Sequence, residues 1–72
     1  MTLDMVSRGD RVRILRIEDP QARFQAIRLG IAEGADVRCS EKLPAGPIVL
    51  RRGRQEIAIG RGIARSIQVE EF

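Results

Sequence analysis

A small, strongly bent antiparallel β-barrel of about five strands with one short inserted helix is the fold this sequence predicts. Three observations carry it. Short segments of alternating apolar residues recur along the 72 residues and are punctuated by Gly and Pro, the pattern of an all-β barrel. One segment alone, ahead of Gly30, repeats its apolar residues at three- and four-residue spacing, the period of a helix buried on one side. Two nearby glycines, Gly30 and Gly34, then carry the chain from that helix into the next strand.

The elements follow in chain order. Leu3, Met5 and Val6 give a first short strand signal before the turn Arg8-Gly9-Asp10. Residues 11–17 alternate polar and apolar until the phase slips at Leu15 and Ile17. Such a slip marks a bulge in a strand curving around a small barrel. Asp19 is placed to cap a helix and Pro20 to take its first position, where a missing N–H leaves nothing unsatisfied. The helix is expected over residues 21–29, with Phe24, Ile27 and Ile31 toward the core. Gly30 stops it, because a glycine just past the last turn takes the left-handed conformation that closes the final carbonyls. Gly34 serves a second tight turn.

Residues 36–41 form the second strand with Val37 and Cys39 inward. Residues 42–47 form a hairpin tip containing Leu43, Pro44, Gly46 and Pro47, and residues 48–51 return. Arg52-Gly53-Arg54 turns into a fourth strand, residues 55–59, whose Ile57 and Ile59 share a face. Gly60 breaks that strand. Ile63, Ala64 and Ile67 pack from a single helical turn, and residues 67–69 close as a fifth strand beside the first. With the helix between the first two strands, the topology is SH3-like, and the chain is one domain over residues 1–72.

Composition excludes more than it establishes. A domain of this size buries only about 60% of its unfolded surface, which leaves no depth for a catalytic cleft. With a single cysteine and no histidine, there is no internal disulfide, and the usual zinc and proton-shuttle chemistries lose their main residue. Ser7, Ser40, Ser66 and Thr2 have no histidine to activate them. Gly60-Arg61-Gly62 is too short to cradle phosphates and lacks the lysine and hydroxyl of a P-loop. No catalytic residue and no cofactor are expected. No apolar run approaches the roughly 20 residues that span a bilayer, and the start lacks a signal-peptide pattern. A cytoplasmic protein with no membrane insertion of its own is expected.

Lys42 is the sole lysine among 13 basic residues, which face 10 carboxylates for a net charge of +3 and a pI near 10.4. That pI flags nucleic-acid binding, yet single-strand binders stack bases on aromatic rings, and here Phe24 and Phe72 are the only aromatics. The same shortage removes the aromatic groove that true SH3 domains use for proline-rich peptides. Cys39, with Glu41 expected on the same strand face, is the one thiolate-carboxylate pair open to ferrous iron. The reading preferred for Cys39 is a small buried hydrophobe, and no metal site is expected.

The pieces Gly9-Asp10-Arg11-Val12-Arg13-Ile14, Arg28-Leu29-Gly30-Ile31 with Gly34, Gly46-Pro47-Ile48, Ile57-Ala58-Ile59-Gly60 with Ala64, and Ile67-Gln68-Val69 occur in that order. Together the chain resembles the ferrous iron transport protein A family, FeoA, over nearly its whole length. Glu33 departs from that pattern, which often carries proline before the glycine of this turn. The resemblance implies a cytosolic SH3-like barrel that assists FeoB, the membrane ferrous-iron permease with a cytosolic GTP-binding domain. Related barrels form the carboxy-terminal domains of iron- and manganese-dependent repressors. No helix-turn-helix region precedes this one, so a stand-alone accessory is expected.

Loops carry binding more often than strands, and arginine is enriched at interface hot spots. The expected partner surface is therefore Leu43, Pro44 and Pro47 at the hairpin tip, Arg23 and Arg28 on the outer helix face, and Arg51, Arg52 and Arg54 at the second turn. Gly30, Gly34, Gly46 and Gly60 are read as structural turns. Two alternatives stand beside this reading: a small basic barrel holding nucleic-acid backbones through Arg51, Arg52, Arg54, Arg61 and Arg65, and a general adaptor docking through the same hairpin.

Overall fold

The computed structural model describes residues 1–71. Its strands are β1 (Arg11–Ile17), β2 (Asp36–Lys42), β3 (Ile48–Arg52), β4 (Gln55–Ile59) and β5 (Ile67–Glu71), with helix α1 (Pro20–Arg28) between β1 and β2 and the short helix α2 (Arg61–Ala64) before β5. All five strands join one antiparallel sheet in the order β4-β3-β2-β1-β5. This is the mainly β, SH3-like arrangement that the alternating pattern predicts.

The inward side chains come from the strict alternation within each strand. Val12, Ile14 and Ile17 of β1, Val37 and Cys39 of β2, Ile48 and Leu50 of β3, Ile57 and Ile59 of β4, and Ile67 and Val69 of β5 are buried together. Among the described residues, the core contains no aromatic ring and no buried polar residue. Two bulges let the sheet bend around it. In β1, Ile14 pairs with Val69 and Arg16 with Gln68, so Leu15 is the extra residue and turns outward. In β2, Cys39 pairs with Leu50 and Glu41 with Val49, so Ser40 is extra. The second bulge corrects the expected strand face: it turns Glu41 to solvent while Cys39 stays fully buried.

The amino terminus differs from the expected strand. Leu3–Met5 forms a single 3₁₀ turn, because Leu3 and Val6, three residues apart, are the pair that must reach the core. Met5 points out. Backbone bonds between Met1 and Val69 then dock this turn on β5.

Helix α1 starts as its sequence requires. The Asp19 carboxylate accepts a hydrogen bond from the Ala22 N–H at 2.9 Å, and Pro20 takes the first position. It ends in a Schellman motif: Gly30 at φ 82° donates to the Ile27 carbonyl at 3.1 Å, and Ile31 donates to the Ala26 carbonyl at 2.9 Å. The buried face is the main correction to the sequence reading. Ala22 and Ala26 face the sheet, whereas Phe24 and Ile27 are 63% and 60% exposed. Alanine lets the helix lie close to the sheet, and Ile31 reaches the core from beyond the Schellman turn rather than from the helix itself.

Candidate functional site

The β2–β3 hairpin tip, residues 43–47, is held by hydrogen bonds from within the turn and from outside it. Gly46 N–H donates to the Leu43 carbonyl at 3.0 Å, and Leu43 N–H donates to the Pro47 carbonyl at 3.3 Å. Pro44 at the second turn position and Ala45 at φ 53° at the third are the type II signature. The left-handed position of the turn therefore falls on Ala45 and not on Gly46, where an added Cβ would meet Leu43 Cβ at 3.1 Å. Leu43, Pro44 and Ala45 are exposed, and Pro47 is half-buried.

Arg61 at the start of α2 fastens this tip from outside the hairpin. Its Nε donates to the Gly46 carbonyl at 2.8 Å and its Nη2 to the Leu43 carbonyl at 2.7 Å. The planar guanidinium suits this fork, since two N–H groups in fixed geometry meet two acceptors of one turn. The nucleic-acid alternative drawn from the sequence counted Arg61 among its phosphate-binding arginines. No sequence signal marks its real partners, which are backbone carbonyls 15 and 18 residues away.

Two more arginines singled out in the sequence are engaged with the chain itself. Arg23 donates through Nε and Nη2 to the Ile17 carbonyl at 3.2 and 2.9 Å, and its Nη2 lies 3.6 Å from Glu33. Glu33 in turn accepts from Ile17 N–H at 3.2 Å. The two side chains thus satisfy both backbone groups at the end of β1, which gives Glu33 a structural task in the turn ahead of Gly34. Arg52 donates through Nη1 to the Gly30 carbonyl and ties the β3 end to the Schellman turn. Arg28 lies over the Phe24 ring, 5.9 Å from its centroid, at the outer edge of cation–π range. Arg51 and Arg54 are exposed.

The outer face of α1 is thus apolar as well as basic, with Phe24, Ile27 and Arg28 side by side. This face was missed in the sequence because period alone assigned Phe24 and Ile27 inward. The signal that finds it is the competing Ala22–Ala26 pair at four-residue spacing, since small residues permit close packing on a sheet. Of the glycines read as turns, Gly30 and Gly34 have φ of 82° and 92°, whereas Gly60 has an ordinary φ of −64° and caps α2.

Cys39 donates its thiol hydrogen to the Glu41 carbonyl at 3.4 Å. Burial pushes its pKa up, and the nearby Asp10 charge adds to the rise. Among the described residues, no three His, Cys, Asp or Glu side chains converge on a point. No helix among the described residues is long and apolar enough to cross a membrane.

Comparison with known proteins agrees with this architecture. No curated protein matches the sequence. A crystal structure of a FeoA described as an iron uptake regulatory protein aligns with a TM-score of 0.90 at 29% identity, covering 100% of this chain and 97% of that one. The FeoA of Stenotrophomonas maltophilia, solved with zinc and described as a procaryotic SH3 domain protein, aligns at 0.80 and 21% identity over 97% and 89%. The manganese regulator SloR contains the same barrel, at a TM-score of 0.88 and 18% identity over 100% of this chain and 34% of that one. A family model of the FeoA domain matches residues 1–71, and the chain belongs to that family, which is associated with ferrous iron transport.

Proposed function

We propose that this protein is a cytoplasmic accessory of ferrous-iron uptake that acts by contact with a FeoB-type permease, neither catalysing a reaction nor holding the metal. The observation that carries the reading is the hairpin tip. A type II turn held at two carbonyls by Arg61 presents Leu43 and Pro44 to solvent in one conformation, and a pre-organised loop loses little entropy on binding. The description of the Stenotrophomonas maltophilia FeoA, which proposes a transport activating factor, is consistent with such a role. Phe24 and Ile27 on the outer face of α1 supply a second apolar contact beside Arg28. Arg51 and Arg54 add positive charge that steers encounter.

The nucleic-acid reading has less support, because Arg52 and Arg61, two of its five arginines, are bound to backbone carbonyls. The test is a titration of the isotopically labelled protein with the cytosolic GTP-binding domain of its own organism's permease. Saturable amide shifts at residues 43–48 or along α1, abolished by Leu43→Glu or Phe24→Glu, are expected. Absence of shifts with both the soluble domain and the full permease in detergent overturns the proposal. Steep weakening with salt on a single-stranded oligonucleotide, with no response to the permease, favours the nucleic-acid reading.

A further inference from the structure

On the outer face of the sheet, the register stacks three arginines in a row. Arg11 of β1 lies opposite Arg38 of β2, and Arg38 lies opposite Arg51 of β3. All three are exposed, and neighbouring strands stand about 4.8 Å apart, so the row spans roughly 10 Å. Like charges directly opposite one another destabilise a sheet. Arg38 takes this from both sides, and neither it nor Arg51 forms an ion pair among the described residues. The row lines an open groove of about 270 Å³ together with Asp36, Val37, Arg52 and Gly53.

We infer that this groove is a docking site for an acidic protein segment that places carboxylates over Arg38 and Arg51 of the arginine row. The dimensions favour carboxylates over a polyphosphate chain. Glu56 stands opposite Arg51 on β4 and closes the row at that end. Along the strands, the next cross-strand pair is Arg13 with Asp36, already joined at 3.1 Å, and Arg13 also reaches Glu70 at 3.8 Å. A nucleic-acid backbone running past the row meets these acids and finds no aromatic ring to stack on. Glutamates three and four residues apart on a partner helix lie about 5–6 Å apart, close to the arginine spacing, and the guanidiniums of Arg38 and Arg51 can each fork onto one carboxylate. The inference deepens the proposed function by giving the chemistry of the partner's surface, and rests on it only for which protein supplies the acids.

The test uses the whole labelled protein and two probes: a blocked hexaglutamate peptide with a hexaglutamine control, and the permease GTP-binding domain. The glutamate peptide is expected to shift the amides of Arg11, Arg38 and Arg51 and their Nε–H resonances at low salt, while the glutamine peptide leaves them unmoved. Arg38→Thr is expected to weaken that binding roughly two- to fivefold, the factor for one exposed charge pair. The same change is expected to raise Tm by about 2–5 °C by relieving repulsion from both neighbours. A residue kept only for stability would give the opposite sign. Shifts confined to the hairpin tip with either probe, or an Arg38→Thr variant that melts lower and binds equally, overturn the inference while leaving the permease contact standing. Binding of hexaglutamate at the row without any response to the permease supports the acidic docking site and removes the permease as its source. Tighter binding of a short oligonucleotide than of hexaglutamate at the same row also overturns it.

Discussion

Replacing Arg61 by methionine keeps the aliphatic stem and removes the fork that holds the hairpin tip. Two bonds are lost, at 2.8 Å to the Gly46 carbonyl and 2.7 Å to the Leu43 carbonyl, and bonds to a charged donor contribute about 1.5–3 kcal/mol each when buried. The full sum does not apply here. Arg61 is half-buried, and the Leu43 carbonyl keeps the Gly46 N–H as a partner at 3.0 Å, so neither acceptor is left both buried and unpaired. The expected loss is about 1–2 kcal/mol, or roughly 5–12 °C in Tm for a domain of this length. Urea denaturation measures it, with hydrogen exchange at Gly46 as the local readout. Arg61→Lys should recover less than half, because a single ammonium cannot fork between two carbonyls. An Arg61→Met variant within about 0.3 kcal/mol of the parent, or full rescue by lysine, refutes the fork as the holder of the tip.

Three further outcomes follow from backbone and burial. Gly30→Ala and Gly34→Ala should each cost about 1 kcal/mol or more, since both positions have φ above 80°, while Gly60→Ala at φ −64° should stay within about 0.5 kcal/mol; equal thermal melts for all three would sink the distinction. Ala45→Gly should stabilise by about 0.5 kcal/mol, because relief of a left-handed alanine outweighs the added freedom of the unfolded chain; a lower Tm would show that the tip is unstrained at φ 53°. The Cys39 thiol, raised above its ordinary value of 9.0 chiefly by burial, holds its proton more tightly in the folded chain than in the unfolded one. The associated stability is fully present below the unfolded thiol's pKa and is lost as pH rises through the folded value. Urea midpoints measured from pH 8 to 10.5 should therefore fall more steeply for the parent than for Cys39→Ala, a difference not masked by tyrosine, which the chain lacks; parallel profiles would refute it.

Which features were legible in the sequence depended on whether apolar side chains recorded them. The β1 bulge was visible because the extra residue is Leu15, and a leucine out of phase breaks the alternation. The β2 bulge left no such trace: Ser40, Glu41 and Lys42 are all polar, so a one-residue slip among them changes no pattern. That slip is what separates Cys39 from Glu41. The buried face of α1 was illegible for a related reason. Phe24, Ile27 and Ile31 have the correct period, but Ala22 and Ala26 define a competing face, and burial followed the closeness of approach rather than side-chain size. Ile31 was correctly placed in the core for the wrong reason, since it arrives there through the Schellman turn. At the hairpin tip the turn itself was readable from Pro44 and its neighbours. The arginine that fastens it was not, because a bond to a carbonyl leaves no complementary residue to find.

The arginines show why net charge alone misleads in a chain this small. A total of +3 suggests a diffuse positive surface, yet the side chains fall into groups with different physics. Arg23, Arg52 and Arg61 replace missing backbone partners at the end of β1, the Gly30 turn and the hairpin tip. Arg8, Arg13 and Arg16 sit in exposed ion pairs, each contributing little to stability in solvent. Outside these sets, exposed guanidiniums remain at Arg38 and Arg51 of the outer row, at Arg54 and Arg65, and at Arg28 beside Phe24. The row costs the fold stability through like-charge opposition, and a sheet free to choose would place threonine or glutamate at the centre of it. The two groups respond in opposite directions to removal, lower Tm for Arg61 and higher Tm for Arg38. One pair of melting curves therefore separates the arginines that hold the barrel together from those that face a partner.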